Sequence, residues 1–201
     1  MNPTPEKTSV MAPFILMLFL YFIVGLFTVI NQQFQVPLKS ALLPHDGNMT
    51  NALVTLLNFS WFLAYPFSEG FATRWVDRLG YRKTSVYSLL IFIAGLGFYE
   101  AAVLLHIYAP SYITIMGNPI FTGFFIFLSG SFVIGMAVTI LQVVTGLYLD
   151  VNPVGKTTPL QRQMIGGTTN SIGMAIGPLV VSYIIFYGIP LHNVQSREFI
   201  W

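Results

Sequence analysis

Amide and aromatic side chains occur inside long apolar stretches of this sequence. Asn31 and Gln35 are four residues apart, and Asn58, Trp61 and Tyr65 follow helical spacing, so each set projects from one face of a helix. Amides pair with hydroxyls, and a flat aromatic ring covers the apolar face of a pyranose, so this combination suits a neutral sugar. The alternative is that these groups form hydrogen bonds between helices.

A second polar stripe is centred on Gln142. Thr139 and Thr145 lie about one helical turn to either side of it in an otherwise apolar segment. We expect Gln142 to face a central cavity of the helix bundle, together with the amide and aromatic side chains described above. Further along the chain the small residues favour close helix packing; they are Gly166, Gly167, Gly173 and Gly177.

Two carboxylates lie within apolar sequence, where a charge is costly, and each could carry a proton or a cation. Glu69 has Arg74 nearby, so an ion pair at the cytoplasmic surface is the favoured interpretation for it. Glu100 has no cationic neighbour in sequence. We therefore expect Glu100 to be the coupling-ion site.

The composition indicates which elements must hold these residues. Hydrophobic residues make up 55% of the 201 residues and charged residues 8%, against roughly 25% charge in soluble domains. No charged residue occurs between Lys7 and Lys39 or between Glu100 and Asp150, and a spanning helix needs about 20 apolar residues. These runs do not alternate as barrel strands would. The sequence predicts an all-α membrane protein.

The pattern predicts five spans with turn residues between them. They cover about 12–36, 51–73, 84–106, 120–149 and 162–188. Every connection is expected to run directly from helix to helix.

Basic residues predict the orientation, because Lys and Arg near span ends concentrate on the cytoplasmic side. The segment from Arg74 to Lys83 and the pair Lys156 and Arg162 carry most of them. The amino terminus is then cytoplasmic and the fifth span ends outside, near Trp201. We expect a partial chain in a plasma (inner) membrane.

The segment that joins the second and third spans resembles the cytoplasmic loop signature of the major facilitator superfamily. It reads Asp77-Arg78-Leu79-Gly80-Tyr81-Arg82-Lys83. The resemblance implies a bundle of six helices in the amino-terminal half, five of them present in this chain. It also implies a charge network that stabilises the inward-closed conformation of the transporter. The residues of this network would be Arg74, Asp77, Arg78 and Arg82.

Three segments inside the spans resemble the fucose, galactose and glucose:proton symporter branch of that superfamily. They are Val29-Ile30-Asn31-Gln32, Leu141-Gln142-Val143-Val144 and Thr169-Asn170-Ser171 with Gly173 beyond. The sequence departs from the branch at Gln32 and Gln142, which stand where these symporters place acids. Glutamine cannot take up a proton in the physiological range, so coupling must use another residue, another ion or none.

The resulting hypothesis is uptake of a monosaccharide by alternating access, with a proton or sodium as a possible second partner. The expected sugar-binding residues are Asn31, Gln32, Gln35, Asn58, Trp61, Gln142 and Asn170. The expected partners are the sugar, the lipid bilayer and a missing carboxy-terminal half. We expect no enzymatic activity, no cofactor, no metal and no nucleic acid. The alternatives are a drug or metabolite exporter of the same superfamily and a non-transporting membrane fragment.

Overall fold

The computed structural model describes residues 10–34, 43, 48–115 and 118–185. Its helices are α1 (Met11–Gln33), α2 (Asn48–Tyr108), α3 (Thr122–Val151) and α4 (Pro159–Val180), and a π-helical turn (Val181–Ile185) follows α4. All four α-helices are long and apolar enough to cross a membrane. The chain is therefore a helical membrane protein, as its composition predicts.

Helix α2 is broken at one residue, Gly80. Its φ of 76° and ψ of 167° belong to a region that is essentially restricted to glycine. The rings of Trp75 and Tyr87, on opposite sides of the break, lie 6.2 Å apart, whereas a straight helix would separate their Cα atoms by about 18 Å. The chain therefore folds back at Gly80, which divides α2 into a first arm (48–79) and a second arm (81–108).

The predicted loop between the second and third spans is wrong in detail. Arg74, Asp77 and Arg78 belong to the first arm, and Arg82 already lies in the second arm. No glycine or proline between Arg74 and Leu79 interrupts the helix, so the helix continues to the first residue that can adopt a positive φ. The reversal needs one residue rather than a loop.

A short β-hairpin joins α2 to α3, so the prediction that every connection runs directly from helix to helix is wrong here. Strand β1 (Tyr112–Ile115) pairs antiparallel with β2 (Asn118–Phe121), with Tyr112 opposite Phe121. The first strand reads Tyr-Ile-Thr-Ile, and β-branched and aromatic residues of this kind favour strands.

Helix α3 is the most enclosed of the four, and both arms of α2 pack against it. Glycines make this approach possible. A side chain at Gly135 would meet the backbone of Trp61 in the first arm, and one at Gly95 in the second arm would meet Ile134. Helix α3 therefore forms the core around which the other helices are arranged.

Helices α1 and α4 also pack closely through glycine. Side chains at Gly25 and Gly173 would collide with backbone atoms of Asn170 and Phe22 on the facing helix. This confirms the packing interpretation for Gly173. The surroundings of Gly167 are open within the described residues, so that glycine does not serve the same contact.

Candidate functional site

A cavity of about 330 Å³ lies among all four helices, toward the end of α3 that precedes α4. Its volume falls at the lower end of the range for small-molecule pockets, roughly 300–1,000 Å³. The lining residues are Tyr21, Tyr65, Glu69, Thr139, Gln142, Val143, Gly146, Leu147, Asp150 and Gln163. Most of them are polar, although the segments that carry them are apolar.

Gln142 presents a free amide to this cavity. It is half-buried, and its side-chain amide makes no hydrogen bond with any described residue. By contrast, Gln163 donates from Nε2 to the Gly146 carbonyl at 2.8 Å, and the Thr139 hydroxyl donates to the Gly135 carbonyl at 2.8 Å. The Gln142 amide is therefore available to donate to and accept from a bound molecule.

The charged groups of the cavity are all acidic. Glu69 of α2 and Asp150 of α3 line it, and neither Lys nor Arg does. The predicted ion pair between Glu69 and Arg74 is absent from the described residues, so that interpretation is wrong. Both side chains are exposed.

Arg162 lies beneath the acidic end of the cavity and is only 3% exposed. Its guanidinium donates to three backbone carbonyls, those of Leu149, Thr157 (2.7 Å) and Asp150 (2.8 Å). The last carbonyls of a helix have no partner within the helix, and a cation near them is favoured by the helix dipole. Arg162 therefore supplies hydrogen-bond donors to carbonyls at the end of α3, including the backbone carbonyl of Asp150.

A second polar group joins α1, α2 and α3 away from the cavity. The Tyr99 hydroxyl lies 2.9 Å from that of Ser131 and donates to Asn31 Oδ1 at 3.5 Å. The Tyr99 ring stacks on Phe127 with centroids 3.9 Å apart. Asn31 thus takes part in a contact between helices in this conformation.

Trp61 and Asn58 lie in the interior of the first arm. Trp61 is 2% exposed, and its Nε1 has no hydrogen-bond partner among the described residues. The same holds for Asn58 Oδ1. Tyr65, one turn beyond Trp61, does reach the cavity. Tyr21 and Tyr65, and not the expected Trp61, are the aromatic residues that line the cavity.

The structure places one of the seven expected sugar-binding residues, Gln142, in the cavity lining. Asn170 donates from Nδ2 to the Tyr21 carbonyl at 3.0 Å and so connects α4 to α1. Gln32 is exposed at the end of α1. Gln35 lies outside the described residues.

Glu100, the expected coupling residue, is exposed on the second arm and does not line the cavity. Glu69 does, although its position beside Arg74 had suggested a surface ion pair. The sequence could not show which of the two acids lines the cavity, because this depends on how the helices pack against each other.

Two uncharged polar residues of the cavity, Tyr21 and Gln163, were not identified from the sequence. Gln163 is an uncharged polar residue one turn before the paired glycines of α4, a signal that could have drawn attention to it. Tyr21 stands alone in an apolar helix, where a tyrosine gives no distinctive pattern.

The four residues of the expected charge network surround the break at Gly80. Arg74, Asp77, Arg78 and Arg82 are all exposed, and they form no ion pair within the described part of the chain. They form a charged surface at the reversal of α2.

Comparison of the chain with protein-family models, with curated proteins and with solved structures found no match. Within the described residues no group of three or more His, Cys, Asp or Glu side chains could hold a metal ion.

Proposed function

We propose that this protein moves a monosaccharide across the plasma membrane by alternating access. The observation that carries the proposal is the Gln142 amide, which lines the cavity and has no hydrogen-bond partner among the described residues. It can bind sugar hydroxyls as both donor and acceptor. Tyr65 adds an aromatic side chain to the same cavity.

The proposed topology has five spans. Each arm of α2 is longer than the roughly 20 residues that cross a bilayer, so the two arms count as separate spans. The break at Gly80 and the connection that contains Lys156 then lie on the same side, which the positive-inside rule makes cytoplasmic. The amino terminus is also cytoplasmic. The resemblance of residues 77–83 to the major facilitator signature supports a bundle of that type.

Alternating access requires a site near the middle of the bilayer that opens to one side at a time. Thr139 and Gln142 lie in the second half of α3, and the cavity continues from them toward Asp150 at the end of that helix. On the proposed topology the cavity therefore opens toward the cytoplasm.

Uptake of radiolabelled hexoses by the full-length protein in proteoliposomes tests the proposal. Replacing Gln142 by Ala should raise KM about tenfold or more, because the hydrogen bonds of one amide to a sugar are lost. Ser129→Ala, on an exposed face of the same helix, is the matched control and should leave KM unchanged.

Efflux of cationic dyes from the same vesicles examines the exporter alternative. If hexose uptake is absent while dye efflux is present, the protein is an exporter and the sugar proposal is wrong. Equal KM values for Gln142→Ala and the unmodified protein would show that the sugar binds elsewhere.

A further inference from the structure

We propose that the sugar bound in this cavity carries a positively charged amino group, as an amino sugar does. The inference rests on the proposed transport function and specifies its substrate class. It follows from the charge of the cavity lining, which contains two carboxylates and neither Lys nor Arg.

Glu69 provides the carboxylate for this amino group. It makes no hydrogen bond or ion pair through its side chain within the described residues, whereas Asp150 has the Arg162 guanidinium hydrogen-bonded to its backbone carbonyl. An ammonium group bound in the cavity would form charge-assisted hydrogen bonds with this carboxylate.

The remaining lining groups fit the rest of such a molecule. Gln142 supplies an unused amide for hydroxyl groups, and Tyr21 and Tyr65 supply hydroxyls and aromatic surface. A cationic drug without hydroxyl groups would leave the Gln142 amide unpaired. A neutral hexose would make no ionic contact with Glu69, whereas an amino sugar would pair with both Glu69 and Gln142.

Binding of a coupling cation would use the same carboxylate chemistry, so the assay must separate the two sources of positive charge. Exchange of labelled for unlabelled sugar, without a proton or sodium gradient, removes the contribution of ion coupling. The probes are glucosamine, which carries the amino group, and glucose, which has a hydroxyl at that position.

Glu69→Gln keeps the size of the side chain and removes its charge. We expect it to raise the KM for glucosamine exchange about tenfold or more while changing the KM for glucose less than about twofold, because charge-assisted hydrogen bonds are stronger than neutral ones. Glu100→Gln changes an exposed carboxylate of the same helix that lies outside the cavity, and it should leave both values unchanged.

Three outcomes would overturn the inference. If Glu69→Gln leaves exchange of both sugars intact but abolishes gradient-driven uptake, Glu69 binds a coupling ion and not the substrate. If glucose exchange is preferred and the variant affects neither sugar, the substrate is neutral and the transport function stands. If neither sugar is exchanged by the unmodified protein, the transport proposal itself fails.

Discussion

At the scale of single residues, Arg162 shows how a charge can be stabilised inside an apolar helix bundle. Its guanidinium donates to three backbone carbonyls and to the Thr157 hydroxyl, none of which carries a formal charge. A buried cation is tolerated when its donors are satisfied, and the carbonyls it serves would otherwise be unpaired. The residue therefore connects the end of α3 to the beginning of α4.

Arg162→Ala should destabilise the protein by about 3 kcal/mol, because each buried group left unpaired costs about 1–3 kcal/mol. Thermal unfolding in detergent micelles measures the effect. Lys156→Ala is the control, since Lys156 is an exposed cation in the same connection. Equal melting temperatures for the two variants would show that the Arg162 contacts do not stabilise the bundle.

At the scale of the helices, the reversal at Gly80 depends on backbone conformation rather than on packing. A side chain at Gly80 would meet nothing within 4 Å, yet its φ and ψ are closed to other residues. Gly173 is required for a different reason. Its backbone does not have a positive φ, but the backbone of α1 leaves no room for a side chain at this position. The two glycines therefore call for two different tests.

Gly80→Ala should lower stability by about 1–3 kcal/mol through backbone strain. Gly70→Ala serves as its control in the first arm, where the added methyl group meets open space in a regular helix and should be neutral or slightly stabilising. Comparison of their thermal unfolding in micelles gives the difference. A Gly80→Ala variant as stable as Gly70→Ala would contradict the observed fold-back.

Gly173→Ala should destabilise by about 1–3 kcal/mol, because the methyl group collides with the Phe22 backbone and forces α1 and α4 apart. Gly167→Ala in the same helix adds a methyl group to an open position and should be tolerated. The same unfolding assay compares them. Similar losses at both positions would attribute the effect to the helix itself rather than to its contact with α1.

The spans could be predicted from sequence because each depends on a long apolar run, and α1 and α3 begin and end within a few residues of the expected positions. The reversal was expected between residues 73 and 84, which contain Gly80, but its form could not be predicted, because charged residues around a glycine are typical of a loop whether or not they are helical. The residues expected to bind sugar could not be assigned from the sequence alone. Asn31 and Asn170 carry the same amide as Gln142, but their partners, Tyr99 and Tyr21, lie on other helices.

At the scale of the whole molecule, the proposed topology places the ends of the helices on two sides of the membrane. The Gly80 break and the connection between α3 and α4 lie on one side, and the β-hairpin lies on the other. The chain contains no cysteine, so single cysteines can report this arrangement without background.

Arg82→Cys and Lys156→Cys should react with a membrane-impermeant maleimide only after the cytoplasmic face is made accessible, and Tyr112→Cys should react in intact cells. All three positions are exposed, so burial does not limit the reaction. Labelling of Arg82→Cys and Tyr112→Cys from the same side would contradict the proposal that the two arms of α2 are separate spans.

The one-residue reversal at Gly80 also constrains how the protein enters its membrane. On the proposed topology no connecting segment separates the two arms, so we expect them to insert as one helical hairpin. The charged surface formed by Arg74, Asp77, Arg78 and Arg82 would then lie at the membrane boundary, because charge is costly inside the bilayer.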